Sequence, residues 1–92
     1  MELPLVAEVT VVNATGLHAR PCGAIAATAK EYESSLIVAC GDRQADGRSI
    51  LSLMMLEAAQ GDVLRFEAHG RDANSLLESL RALVQGGFRE RS

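Results

Sequence analysis

The strongest constraint on this chain is the way its apolar residues change period. Over residues 5–12, read as a strand, Leu5, Ala7, Val9 and Val11 alternate with Glu8 and Thr10, the period of two that marks one buried face. After the turn residues Asn13-Ala14-Thr15-Gly16 the repeat changes. Cys22, Ile25, Ala26 and Ala29 then fall at i, i+3, i+4 and i+7, the buried stripe of a helix running from about His18 to Tyr32. A chain that switches from strand to helix so abruptly must bury both stripes against each other. The small side chains of the helical stripe allow that helix to lie close on a sheet.

The remaining segments repeat the switch. Leu36–Cys40 reads as a strand, Gly41-Asp42 as a turn and Arg43–Asp46 as a short polar return strand, together a hairpin. Ser49 is placed to cap a helix over Ile50–Glu57. Gln60-Gly61-Asp62 turns the chain. Leu64, Phe66 and Ala68 then alternate with Arg65, Glu67 and His69, which puts His69 on a solvated sheet face. Asp72 stands at the N-cap of a last helix whose stripe is Leu76, Leu77, Leu80, Leu83 and Val84. Gly86-Gly87 stops it, and the chain from Phe88 is expected to fray. The order is βαββαβα. Strands with one polar face call for one sheet covered on its other side, so the expected fold is α+β: an open-faced sandwich of four antiparallel strands under three helices. Residues 1–88 form one domain and 89–92 a tail.

Composition narrows the function. Aromatics make up only 3% and the net charge is −3, which disfavours a stacking platform for single strands and general binding to nucleic acid. No stretch has the length of a membrane span, and Met1-Glu2-Leu3-Pro4 lacks the basic start of a signal peptide. A cytoplasmic protein with reduced Cys22 and Cys40 is expected. His18, Cys22, Cys40 and His69 lack metal-ligand spacing, and the glycines form no phosphate-binding loop. Neither a metal nor a cofactor is therefore expected.

The chemistry concentrates in Thr15-Gly16-Leu17-His18-Ala19-Arg20-Pro21. A lone histidine is most often an ordinary surface or capping residue, but three local features argue otherwise here. Gly16 permits the tight backbone that turns a strand end into a helix start. The helix start offers N–H groups, here those around Ala19, and a partial positive charge suited to phosphate. Arg20 adds a planar cation that matches phosphate oxygens. Pro21 falls in the first turn, where its missing N–H costs no intrahelical bond. A neutral imidazole in such a place can attack phosphorus and carry the phosphoryl group in a transferable form. The helix beginning at Ser49 is also unusual. Ile50, Leu51, Leu53, Met54, Met55 and Leu56 cover more than one face. Either part of them is exposed as a docking patch, or the helix is pinched between sheet and loop.

Gly16-Leu17-His18-Ala19-Arg20-Pro21, followed about thirty residues on by Arg48-Ser49-Ile50-Leu51, resembles the HPr family. These are the histidine-containing phosphocarriers of the bacterial phosphoenolpyruvate:sugar phosphotransferase system, and the resemblance spans nearly the whole chain. It implies the open-faced βαββαβα sandwich and a carrier rather than a stand-alone enzyme. It further implies that His18 takes a phosphoryl group from enzyme I and hands it to an enzyme IIA component. Arg20 matches the phosphate-contacting arginine, and Gly16 and Ala19 complete the phosphate loop. Ser49 matches the serine that HPr kinase/phosphorylase modifies in many bacteria. Partner docking then falls to Arg48, Ile50, Leu51, Leu53, Met54 and Met55 of a monomer. The alternative is a regulatory relative, serving a nitrogen-type branch or a transcriptional regulator. Cys22, Ser52 and Glu57 depart from common family choices, the last two replacing glycines. Glu57 is expected to weaken or retune docking.

Overall fold

The computed structural model describes residues 3–89. Strand β1 (Leu5–Thr10) leads to helix α1 (Ala19–Lys30). The hairpin β2 (Ser35–Cys40) and β3 (Arg43–Asp46) follows, then the short helix α2 (Ile50–Met54), β4 (Val63–His69) and α3 (Ala73–Gln85). The sheet has the order β1-β4-β2-β3 with every pair antiparallel. The expected βαββαβα sandwich is the observed one, with one face of the sheet open.

The register explains how so few aromatics build a core. Ala7, Phe66, Val38 and Ala45 stand side by side across the four strands, all buried. The largest side chain of that row sits between small ones, so the helices can approach closely. Ile25, Ala26 and Ala29 of α1 and Leu76, Leu80 and Val84 of α3 close over it. The hydroxyl of Tyr32, just past the end of α1, and the Ser79 hydroxyl of α3 share a 2.5 Å hydrogen bond. The next row, Glu8, Arg65, Ala39 and Gln44, lies on the open face. There Arg65 pairs with Glu67 at 3.1 Å, and His69 is exposed as expected.

Four local expectations need correction. First, β1 stops at Thr10 rather than residue 12, because Val11 leaves the sheet ladder for the 60–62 turn. Its N–H donates to the Asp62 carbonyl at 2.8 Å, and its carbonyl accepts from Gly61 N–H at 2.8 Å. Second, Asp72 occupies the N-cap position of α3 but does not cap it. Its carboxylate reaches across the fold to accept from the amides of Glu33 and Ser34, both at 2.9 Å, and from the Ser34 hydroxyl. A nonlocal set of three donors outweighs the one local cap.

Third, Phe88 is not part of a tail. After Gly86 ends α3, a turn at Gly87–Arg89 carries three successive positive φ values (64°, 57° and 60°) and returns the ring to the core at 7% exposure. Burying a phenylalanine gains about 1.5–3 kcal/mol. That offsets much of the roughly 1–2 kcal/mol that each of the two left-handed non-glycine residues, Phe88 and Arg89, costs. The remainder of the expected tail, residues 90–92, lies outside the described residues. Fourth, α2 is five residues long rather than eight. Leu56 N–H bonds to the Leu53 carbonyl and Glu57 N–H to that of Met54, each at 3.2 Å, so the last turn tightens. Glu57 then takes φ +53°, which ends the helix.

Among the described residues no helix is long and apolar enough to cross a membrane.

Candidate functional site

His18 is the N-cap of α1, in extended backbone at φ −86° and ψ −172°, and its side chain is exposed. The imidazole does not cap the helix. The first intrahelical bond is Cys22 N–H to the His18 carbonyl at 3.1 Å. The amides of Ala19 and Arg20 come before it and have no carbonyl of their own helix to bond. Both residues are exposed beside His18, while Pro21, buried in the same turn, has no N–H to satisfy. The start of α1 therefore gathers an exposed histidine, an exposed arginine and two amides that their own helix leaves unbonded.

The loop that carries His18 is held by backbone bonds and by the side chains of Asn13 and Cys22. Gly16 has φ +65°, and a Cβ there would lie 2.6 Å from the Ala58 carbonyl oxygen. Both the conformation and the close approach require glycine. Leu17 N–H donates to that same Ala58 carbonyl at 2.9 Å, and Gly16 N–H to the Asn13 carbonyl at 3.2 Å. The buried Asn13 donates its side-chain N–H to the Gly16 carbonyl at 2.9 Å and to Thr15 Oγ1 at 3.2 Å. The Cys22 thiol donates to the Leu17 carbonyl at 3.6 Å. Burial pushes the Cys22 pKa up, so the thiol keeps its proton and remains a donor.

Asn13 and Ala58 are functional supports that sequence reasoning missed. Asn13 reads as a generic turn residue, and its side-chain span to Gly16 is the only local signal it offers. Ala58 contributes a carbonyl, which no residue identity reveals.

The second half of the site is α2 and its approaches. Ser49, its N-cap, is partly exposed, and its hydroxyl accepts from Ser52 N–H at 3.2 Å. The helix is neither wholly buried nor wholly free. Leu53 is 0% exposed and Leu56 is 3%. Leu53, expected in the docking set, therefore belongs to the core: it points inward on a helix too short to rotate it outward. Ile50 (43%), Leu51 (71%), Met54 (39%) and Met55 (70%) form the exposed part.

Arg48 is turned back. Its guanidinium donates to the Tyr32 carbonyl at 2.6 Å and the Ser34 carbonyl at 3.4 Å, tying the entry of α2 to the end of α1. The two helices pack together, and Ile50 Cδ1 lies over Gly23 of α1. Downstream, the chain leaves α2 through the buried Leu56 and Ala58, and Ala58 grips Gly16 and Leu17. The apolar patch and the His18 loop thus share one support.

Glu57 follows the patch with an exposed carboxylate, paired to Arg43 at 2.9 Å. Cys40 and Cys22 are free thiols. The Cys40 pKa is raised by burial and by Asp62, against a smaller lowering by Arg43. Among the described residues no group of three or more His, Cys, Asp and Glu gathers as a metal site.

Comparison with known proteins places this geometry. The family model described as the PTS HPr component phosphorylation site matches residues 5–86. The phosphocarrier protein NPr of Shewanella violacea is 35% identical over 85 residues, 92% of this chain and 93% of that one. The phosphocarrier protein HPr of Neisseria meningitidis serogroup A is 37% identical over 82 residues, 89% of this chain and 92% of that one. A crystal structure of HPr from Thermoanaerobacter tengcongensis superposes with a TM-score of 0.89 at 30% identity, covering 96% of this chain and 99% of the other. Family model, sequence identity and superposed fold thus agree, and the chain belongs to the HPr family of phosphotransferase-system phosphocarriers.

Proposed function

We propose that His18 is the phosphoryl-accepting residue of this carrier, charged by phosphorylated enzyme I and discharged to an enzyme IIA component. The observation that carries the assignment is the exposed imidazole at the start of a 12-residue helix, beside the exposed Arg20 and the amides of Ala19 and Arg20. A ring nitrogen lone pair forms the N–P bond as the donor's bond to phosphorus breaks, and the donor keeps that electron pair. The helix end, worth about half a positive charge, and the Arg20 guanidinium stabilise the equatorial oxygens without bonding to them covalently. The step therefore runs backwards as readily when an acceptor docks. No reorganisation is needed, because Gly16, Asn13 and Ala58 already hold the loop.

Ile50, Leu51, Met54 and Met55 form the docking face for enzyme I and the IIA component. Ser49 is a regulatory modification site for an HPr kinase/phosphorylase. A phosphate there adds about −1.5 to −2 charges at the edge of the apolar face, which disfavours partners that bury it. The carrier acts as a cytoplasmic monomer.

Purified cognate enzyme I with phosphoenolpyruvate should give an acid-labile phosphoprotein, and His18→Ala should give none. Labelling of His18→Ala at the wild-type rate overturns the assignment. The match to NPr favours a second reading, a regulatory branch that serves a nitrogen-type enzyme I rather than sugar uptake. Comparing kcat/KM with sugar-type and nitrogen-type enzyme I from the same cell separates the two.

A further inference from the structure

We propose that Met55 and Met54 are oxidation sites, whose conversion to sulfoxide by a hypohalous acid detaches the carrier from enzyme I while leaving His18 chemistry intact. The proposal rests on the docking face assigned above. The first observation is where the sulfurs lie. Met55 is 70% exposed and Met54 39% exposed, and both sit in the apolar face of α2. A thioether reacts through a lone pair that needs no deprotonation, so exposure governs its rate.

The second observation is the state of the competing sulfurs. Thiols react mainly as thiolates. Cys22 is 0% exposed, and its carbonyl contact and burial keep it protonated. Cys40 is half-buried on β2, and burial together with Asp62 holds its proton on. Among the described residues the two thioethers are thus the most exposed sulfurs.

The chemistry balances. A methionine sulfur gives two electrons to hypochlorous acid and gains its oxygen, and chloride and a proton leave. A thiol-dependent reductase reverses the step, removing the oxygen as water while two thiols become a disulfide. The product carries a strongly polar S=O where a partner needs apolar surface, and burying that group without a hydrogen bond is unfavourable. The fold is untouched, because neither side chain belongs to the core.

The test treats the whole protein with hypochlorous acid in steps, maps oxygen by peptide mass spectrometry and measures transfer from enzyme I. Oxygen should appear first on Met55, then on Met54, and on both before Cys40 or Cys22. The KM for the carrier should rise about tenfold. Labelling of His18 by phosphoramidate, a small donor that needs no docking face, should not change. Methionine sulfoxide reductase should restore the KM. In Met54→Leu/Met55→Leu, treated protein should transfer as fast as the same variant untreated. Cys40→Ser should remain as oxidant-sensitive as wild type.

Three results overturn the proposal: oxygen reaching Cys40 first, a doubly sulfoxidised carrier with an unchanged KM, or a treated leucine variant that loses transfer as wild type does. Leu51→Asp without oxidant isolates the underlying docking assignment. If it leaves the KM unchanged, the docking face is wrong and the proposal falls with it. If it raises the KM and sulfoxidation does not, only the oxidation proposal falls.

Discussion

Two helices of this protein start at residues with extended backbone, His18 and Ser49, and they use those side chains in opposite ways. Ser49 accepts a hydrogen bond from Ser52 N–H and so caps α2. His18 does not cap α1. What the histidine leaves undone is made up in the backbone of the loop before it. Asn13, Ala58 and Cys22 hold Gly16 and Leu17, the two residues that deliver His18 to the helix. One helix start is stabilised by its own cap. The other is stabilised from behind, and its cap position holds the proposed phosphoryl acceptor.

That contrast can be broken by exchanging losses. His18→Ala should abolish phosphoryl transfer and leave stability within about 0.5 kcal/mol of wild type, as for a surface substitution. Ser49→Ala should do the reverse. It should cost about 1 kcal/mol through the lost cap and still accept phosphate on the histidine. Denaturant titration beside enzyme I labelling reads both. A His18→Ala protein destabilised as much as Ser49→Ala would mean the two starts are built alike.

Gly16→Ala probes the support behind His18. The new Cβ would meet the Ala58 carbonyl at 2.6 Å in a backbone with φ +65°. Strain and displacement together should cost about 2–3 kcal/mol. Because Leu17 hangs from that same carbonyl, transfer should fall even in the fraction that remains folded. Thermal melting and single-turnover labelling at a temperature below the transition measure the two effects separately.

How much of this was legible in the sequence follows from range. Periodicity located β1, α1, β4 and α3, because a buried stripe is a local property of one segment, while a turn marked the β2–β3 hairpin and the Ser49 cap marked α2. Pro21 and Gly16 marked the start of α1 for the same reason. What was not legible depends on distant partners. Asp72 has the sequence of a cap, yet its carboxylate goes to Glu33 and Ser34. Phe88 has the position of a tail, yet a left-handed turn folds it inward. Leu53 belongs to an apolar run whose inward and outward members separate only once the helix is known to stop at Met54. In the candidate site, His18 and Arg20 were readable as residue types. The Ala58 carbonyl that positions them was not, since any residue could supply it.

The exit of α2 offers a smaller effect with the opposite sign. Glu57 holds φ +53°, a conformation that costs a non-glycine residue about 1–2 kcal/mol. Its exposed pairing with Arg43 returns only a fraction of that. Glu57→Gly should therefore raise stability by about 1 kcal/mol, read as a higher denaturation midpoint at unchanged m-value. A loss of stability would show that the ion pair, not the backbone, decides how α2 ends.

The last test concerns the third helix start, Asp72, which resembles His18 in not capping its own helix. The Ser34 hydroxyl, and after it the Glu33 amide, hold its carboxyl below the usual carboxylate range. The unfolded chain binds the proton more readily than the folded one, so the stability this group adds is fully present above the ordinary carboxylate pKa. It is lost as pH falls through the lower folded value. Melting temperature should therefore drop between about pH 4 and the acid limit, and Asp72→Asn should drop less steeply over the same window. The variant should also be less stable at neutral pH, where the carboxylate accepts from three donors of the 33–34 turn. Parallel acid slopes for the two proteins would show that the turn is held by its backbone alone. Asp72 would then be a bystander, unlike the supports behind His18.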